Sequence, residues 1–194
     1  DILSFSENAD GRSAKILANG GDGIDKATFA AGNDFSLSDL TLVAIEELQF
    51  TGGSSTVKLP STVVSGKNLT ISENGTGNLT LEIFPTAQTI NLSSLVFDGS
   101  IVGGTDKIVV NGSNFAQALS VTGSTIGDEI TGTYTSGDTI SSGDGNDTVN
   151  GRDGNDILTP GDGTDLITPG LGNDTINLAE LIAAVDTLNY SIDD

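Results

Sequence analysis

The chain has no cysteine, histidine, methionine or tryptophan, and only seven of its 194 residues are basic. Without cysteine there are no disulfides and no thiolate zinc sites. Without histidine the commonest general base is missing. There is also no G-x-S-x-G elbow and no zinc motif. No catalytic constellation is visible, so the chain is expected not to be an enzyme. Two tyrosines and seven phenylalanines argue against a stacking platform for sugars. The net charge is −20, with 27 acids. No basic patch can form, so nucleic acid is excluded as a partner. No apolar run is long enough to cross a membrane and no signal peptide is present, so membrane insertion is not expected. A first residue of Asp and the lack of methionine point to a fragment of a longer protein. Absence of cysteine also suits a chain that crosses an envelope unfolded.

Glycine is abundant, at 26 residues, alongside much Asn, Thr and Ser. This composition favours turns and short strands over helices. The acids are uneven. Residues 1–110 hold 13 acids and six bases, whereas 111–194 hold 14 acids and a single base, Arg152. Such a field opposes compaction unless cations neutralise it.

Residues 142–177 are four consecutive nonapeptides: SGDGNDTVN, GRDGNDILT, PGDGTDLIT and PGLGNDTIN. They follow the template G-G-x-G-x-D-x-U-x, where U is a large apolar residue. Its first position holds Ser142, Gly151, Pro160 and Pro169. Asp147, Asp156, Asp165 and Asp174 recur once per nonad. Decayed units precede them, with Asp128 in GSTIGDEIT (123–131) and Asp138 in GTYTSGDTIS (132–141). An isolated unit, GGDGIDKAT, places Asp25 in the same slot, and GGTDKIVV (103–110) is a partial echo.

Six residues of each unit form a turn and three a short strand. Glycines such as Gly143, Gly145, Gly154, Gly161, Gly163 and Gly172 allow positive φ, which turns carbonyls toward one point. The Asp adds a carboxylate. All-oxygen coordination of this kind suits Ca²⁺ better than Mg²⁺, which demands tight octahedral geometry. Several Ca²⁺ ions are therefore expected, with Asp25, Asp128, Asp138, Asp147, Asp156, Asp165 and Asp174 and these glycines as site residues. Two nonads make one coil, so turns two units apart stack on the same side. Asp147 then lies over Asp165 and Asp156 over Asp174, with Asp138 below Asp156 and Asp128 below Asp147. Val149 and Ile167 share one sheet, and Leu158 and Ile176 the other. Stacked carboxylates about 5 Å apart repel one another. The roll is thus expected to fold on binding metal. Asn146, Asn155 and Asn173 are expected to tolerate left-handed turn geometry.

Upstream, runs such as STVKL (55–59), NLTLEIF (78–84) and DKIVV (106–110) alternate apolar and polar residues, as strands do. Their spacing fits either coils of a parallel solenoid or a hairpin sandwich; repeats at both ends favour the solenoid. LAELIAAV (178–185) reads as a helix with Asn177 as its N-cap and Glu180 completing a capping box. It serves as a cap or as a link to further repeats. Asp186–Tyr190 reads as another strand. Adjacent Glu46 and Glu47 point to opposite faces of a strand, which fits a surface role better than acid–base chemistry.

The nonads resemble the RTX proteins of bacterial type I secretion. The resemblance implies an all-β fold, a right-handed parallel β-solenoid with a calcium-binding RTX β-roll toward the C-terminus. It also implies export without a cleaved N-terminal signal, and folding outside the cell. Asp144, Asp153 and Asp162 are then expected to solvate the turns, because ligands at that position in the family are backbone carbonyls. GGDGIDKATFAAGNDFSLSDLTLVAIEELQFTGG (20–53) and INLSSLVFDGS (90–100) are similar to segments of RTX surface-layer proteins. The expected organisation is an irregular solenoid over 1–122, the β-roll over 123–177 and a cap or link over 178–194. The expected role is a calcium-binding structural segment at the bacterial cell surface, with copies of itself and surface polysaccharide as partners. The alternatives are a calcium-folded export module of a secreted hydrolase and a segment of a giant adhesin.

Overall fold

A computed structural model of the chain describes residues 2–5, 16–30, 35–36, 40–75, 77–101, 105–178 and 184–190. Every strand pairing among them is parallel, which excludes the hairpin sandwich. The chain winds as a β-solenoid of about 7 turns with almost no helix. One sheet of eight strands runs through it: Phe35–Ser36, Ser55–Pro60, Leu79–Phe84, Lys107–Asn111, Asp128–Thr131, Thr148–Asn150, Leu166–Thr168 and Thr187–Leu188. Two five-stranded sheets complete the coils. The first runs from Ile2–Phe5 through Lys26–Ala30, Glu47–Gly52 and Thr70–Gly75 to Val96–Phe97. The second runs from Thr89–Asn91 through Ser120–Thr122, Thr139–Asp144 and Ile157–Asp162 to Thr175–Ile176. Ile16–Asn19 pairs separately with Leu40–Val43.

Alternation along each strand sends every second side chain inward. Leu59, Ile83, Val110, Ile130, Val149, Ile167 and Leu188 consequently stack in one column. Ile90, Val121, Ile140, Leu158 and Ile176 stack in a column of the second five-stranded sheet. The pairings of Val149 with Ile167 and of Leu158 with Ile176 are those read from the nonad spacing.

The coils taper. Upstream, Ser55 sits against Leu79 and Thr89 against Ser120. In the nonads, Thr148 already meets Leu166, a shorter step along the chain. The longer upstream coils hold a wider core. The helical turn Ser61–Val64 buries Val63 and Val64, and Leu69, Leu92 and Leu95 are buried as well. Phe29 and Phe50 stack with centroids 5.4 Å apart. Ion pairs between successive coils join Lys26 to Glu47 (2.8 Å), Lys58 to Glu82 (2.8 Å) and Lys107 to Glu129 (2.7 Å). Each adds at most about 1 kcal/mol at such partly exposed positions.

The helix expected over 178–185 falls mostly on residues 179–183, outside the described residues. Thr187–Leu188 is a strand, within the run read as one.

Candidate metal centre

The nonad turns lie on two edges of the roll. One edge carries 142–147 and 160–165, which lead into the eight-stranded sheet. The other carries 151–156 and 169–174, which lead into the second five-stranded sheet. Left-handed backbone recurs at the second and fourth positions of each turn. Examples are Gly161 (φ 96°), Gly163 (φ 143°) and Gly172 (φ 139°). Arg152 fills a second position with φ 77°, where the template has glycine, and keeps the turn's shape. The asparagines do not adopt this conformation, contrary to expectation: among the described residues, the non-glycine residues with positive φ are Ala44 and Arg152. The asparagines instead form side-chain ladders between coils. Asn146 Oδ1 accepts the Thr164 N–H at 3.0 Å, and Asn155 Oδ1 accepts the Asn173 N–H at 2.9 Å.

The aspartates form two rows. In the first, the Asp128 N–H donates to Asp147 Oδ1 (2.7 Å), the Asp147 N–H to Asp165 Oδ1 (2.8 Å) and the Asp165 N–H to Asp186 Oδ1 (3.0 Å). In the second, the Leu119 N–H donates to Asp138 Oδ1 (2.7 Å), the Asp138 N–H to Asp156 Oδ1 (2.7 Å) and the Asp156 N–H to Asp174 Oδ1 (2.9 Å). Each carboxylate thus reaches back to the coil before it. Asp128, Asp138, Asp147, Asp156 and Asp165 are all buried.

The second carboxylate oxygen is different. Oδ2 of Asp147, Asp156 and Asp174 is buried and accepts no hydrogen bond. A buried, unsatisfied charged oxygen costs several kcal/mol on the order-of-magnitude scale. Burial therefore pushes the carboxyls up, Asp147 to about 7 and Asp156 to about 6, against the pull of the backbone N–H each accepts. Burial raises Asp128 to about 8. The bare Oδ2 atoms of Asp147, Asp156 and Asp174 need either a proton or a cation. Among the described residues no three acidic side chains gather at one point. A cation on an Oδ2 would take its other ligands from backbone carbonyls, the donor set that suits a hard ion such as Ca²⁺. The turns bring such carbonyls close. A Cβ on Gly163 would overlap the Gly145 carbonyl oxygen, and one on Gly172 that of Gly154.

The sign of the pH dependence follows. A carboxyl raised by folding stabilises the metal-free fold below its ordinary value of 3.8, and that stability is lost as pH rises through the folded values of about 6 to 8. Metal-free protein is expected to show more β signal in far-UV circular dichroism at about pH 5 than at about pH 8. A signal that is flat or rises with pH would contradict this.

Asp25 is fully buried in its own turn, between Gly23 (φ 117°) and the strand Lys26–Ala30, well upstream of the two rows. Its N–H donates to Glu46 Oε2 at 2.8 Å, so glutamate takes the place of the next aspartate. Glu46 and Glu47 do diverge, but Glu46 belongs to the turn. Glu47 pairs with Lys26 outside and accepts a bond from Ser72 Oγ. Two members of these ladders were missed from sequence, Glu46 and Asp186. Asp186-Thr187-Leu188-Asn189 has the same pattern as Asp147-Thr148-Val149-Asn150, so a signal was present. The GGTDK echo does not join the row: Ile108, not Asp106, stands opposite Asp128. Asp106 makes a bond of the same kind one coil earlier, where its Oδ1 accepts the Leu79 N–H at 2.7 Å.

Residues 134–167 and 141–176 match the family model of the RTX calcium-binding nonapeptide repeat (4 copies). No curated protein and no solved structure matches the chain. The roll is thus built of RTX repeats, which bind Ca²⁺ and typically occur in secreted proteins. Among the described residues no helix is long and apolar enough to cross a membrane.

Proposed function

We propose that this chain is a calcium-folded structural segment of a bacterial cell-surface protein, of the surface-layer kind, and not an enzyme. The observation that carries the calcium reading is the row of buried Oδ2 atoms without donors at Asp147, Asp156 and Asp174. With Asp165, these carboxylates would hold Ca²⁺ together with carbonyl oxygens of the turns that contain Gly143, Gly145, Gly154, Gly161, Gly163 and Gly172. Asp25 and Glu46 form a separate candidate turn. The structural role is supported by the single eight-stranded sheet, which joins the roll to the upstream coils. An export module appended to a hydrolase has no need of that continuity. A regular, acidic solenoid also suits contacts bridged by Ca²⁺ to further copies of the chain or to surface polysaccharide.

The test is a Ca²⁺ titration followed together by light scattering and far-UV circular dichroism, with Mg²⁺ as control. The expected result is β structure and assembly with Ca²⁺ and neither with Mg²⁺. A chain that folds but stays monomeric would remove the assembly role and leave a calcium-folded module of a hydrolase or an adhesin.

A further inference from the structure

The aspartates at the start of the two rows differ from those that follow. Both oxygens of Asp128 have donors. The Ser124 N–H lies 2.7 Å from Oδ2, and the Ser124 hydroxyl lies 3.1 and 3.2 Å from Oδ1 and Oδ2. Asp138 repeats the arrangement. The Thr133 N–H lies 2.6 Å from Oδ2 and the Leu119 N–H donates to Oδ1, while the Thr133 hydroxyl lies between Oδ1 (3.3 Å) and the Ser136 carbonyl (3.2 Å). Ser124 and Thr133 are themselves buried.

Both donors occupy the second position of their turns. In the nonads that position holds Gly143, Arg152, Gly161 and Gly170, all left-handed. Left-handed backbone turns the N–H away from the turn's own carboxylate, and none of these four residues carries a hydroxyl. The hydroxyl beside Asp147 belongs to Ser142, at the first position; it helps to hold the Asp147 carboxyl down and also donates to the Pro160 carbonyl at 2.7 Å, yet Oδ2 stays without a donor. Internal donors therefore reach both oxygens of Asp128 and of Asp138, whereas Oδ2 is bare at Asp147, Asp156 and Asp174.

We propose that the coil 123–141 is a metal-free starter, in which Ser124 and Thr133 stand in for the cation and Asp128 and Asp138 hold no Ca²⁺. It presents the Asp128 and Asp138 N–H groups to which the first two metal-bearing carboxylates, Asp147 and Asp156, bond. Beneath the two aspartates stand aliphatic residues, Ile108 in register with Asp128 and Leu119 beside Asp138, and the buried Asp106 just before Ile108 already accepts the Leu79 N–H. The roll thus grows onto an edge formed before calcium arrives. This inference rests on the calcium reading of the nonads given above.

The experiment counts Ca²⁺ per chain by native mass spectrometry, with circular dichroism at saturating Ca²⁺ as the check on folding. The double variant D128N/D138N is expected to bind as many ions as the parent, while D147N and D156N each bind fewer. A lower count in folded D128N/D138N overturns the starter coil. An unchanged count in D147N and D156N overturns the calcium reading of the rows instead. If D128N/D138N fails to fold, S124A/T133A decides the matter. It should keep the ion count and raise the Ca²⁺ midpoint of folding about three- to tenfold, as the loss of one or two net hydrogen bonds implies. An unchanged midpoint or a changed count overturns the proposal.

Discussion

Chelating Ca²⁺ is expected to divide the chain near residue 142. In hydrogen exchange, amides of 142–177 should lose protection by at least about a hundredfold, since one site held at 100 times its dissociation constant contributes about 2.7 kcal/mol. Amides of 47–75, 77–101 and 105–111 should keep theirs. The reason is the residue that fills the slot at the end of each turn. In the roll it is aspartate, with a bare buried oxygen at Asp147, Asp156 and Asp174. Upstream, Leu69 follows Glu46 in register and Ile108 and Leu119 stand at the foot of the two rows, while the buried Asp106 already accepts the Leu79 N–H. The three aliphatic residues are buried and need no ion. The upstream coils are also longer and stacked through Phe29 and Phe50. Equal loss of protection along the whole chain would contradict this account, as would protection of 142–177 that survives chelation.

The second large effect is expected from a single methyl group. Gly163→Ala and Gly172→Ala should each lower the stability of the Ca²⁺-loaded roll by roughly 2–4 kcal/mol, beyond the 1–3 kcal/mol of a strained φ alone. Both glycines have φ near 140°, and in both the added Cβ would meet a backbone carbonyl of the coil below, at Gly145 or Gly154. Backbone cannot swing aside as the end of a side chain can. Gly99→Ala is the control: it has no positive φ and a Cβ there meets nothing, so a change within about 0.5 kcal/mol is expected. Denaturant unfolding in saturating Ca²⁺ measures all three. Gly163→Ala as mild as Gly99→Ala would mean that the turns do not stack closely.

The roll was legible because a strict nonapeptide period fixes which residues are neighbours two units later. Asp147 over Asp165 and Val149 over Ile167 needed no further information. The upstream solenoid was less legible, because coils of variable length hide their register. Ser55 against Leu79 and Thr89 against Ser120 follow no common period. The site was read only in part. Spacing shows that Asp128 and Asp147 share a row, but not that Ser124 satisfies the first while nothing satisfies Oδ2 of the second. Asn146 was misread because its preference for left-handed turns is a local propensity. A bond to the Thr164 N–H of the next coil decided its role instead.

The coil from Ser142 to Thr159 carries four carboxylates, Asp144, Asp147, Asp153 and Asp156, and one guanidinium, Arg152. Parallel strands advance about 4.8 Å per coil. When all four acids are ionised, the roll is a rod with one net charge per roughly 1.6 Å of axis, close to the value of about 1.7 Å for duplex DNA. Coils stacked at that density form only as Ca²⁺ enters, and monovalent salt screens the repulsion that opposes their stacking over about 10 Å at 0.1 M. The apparent affinity of the roll is thus a property of the surrounding salt as well as of its turns.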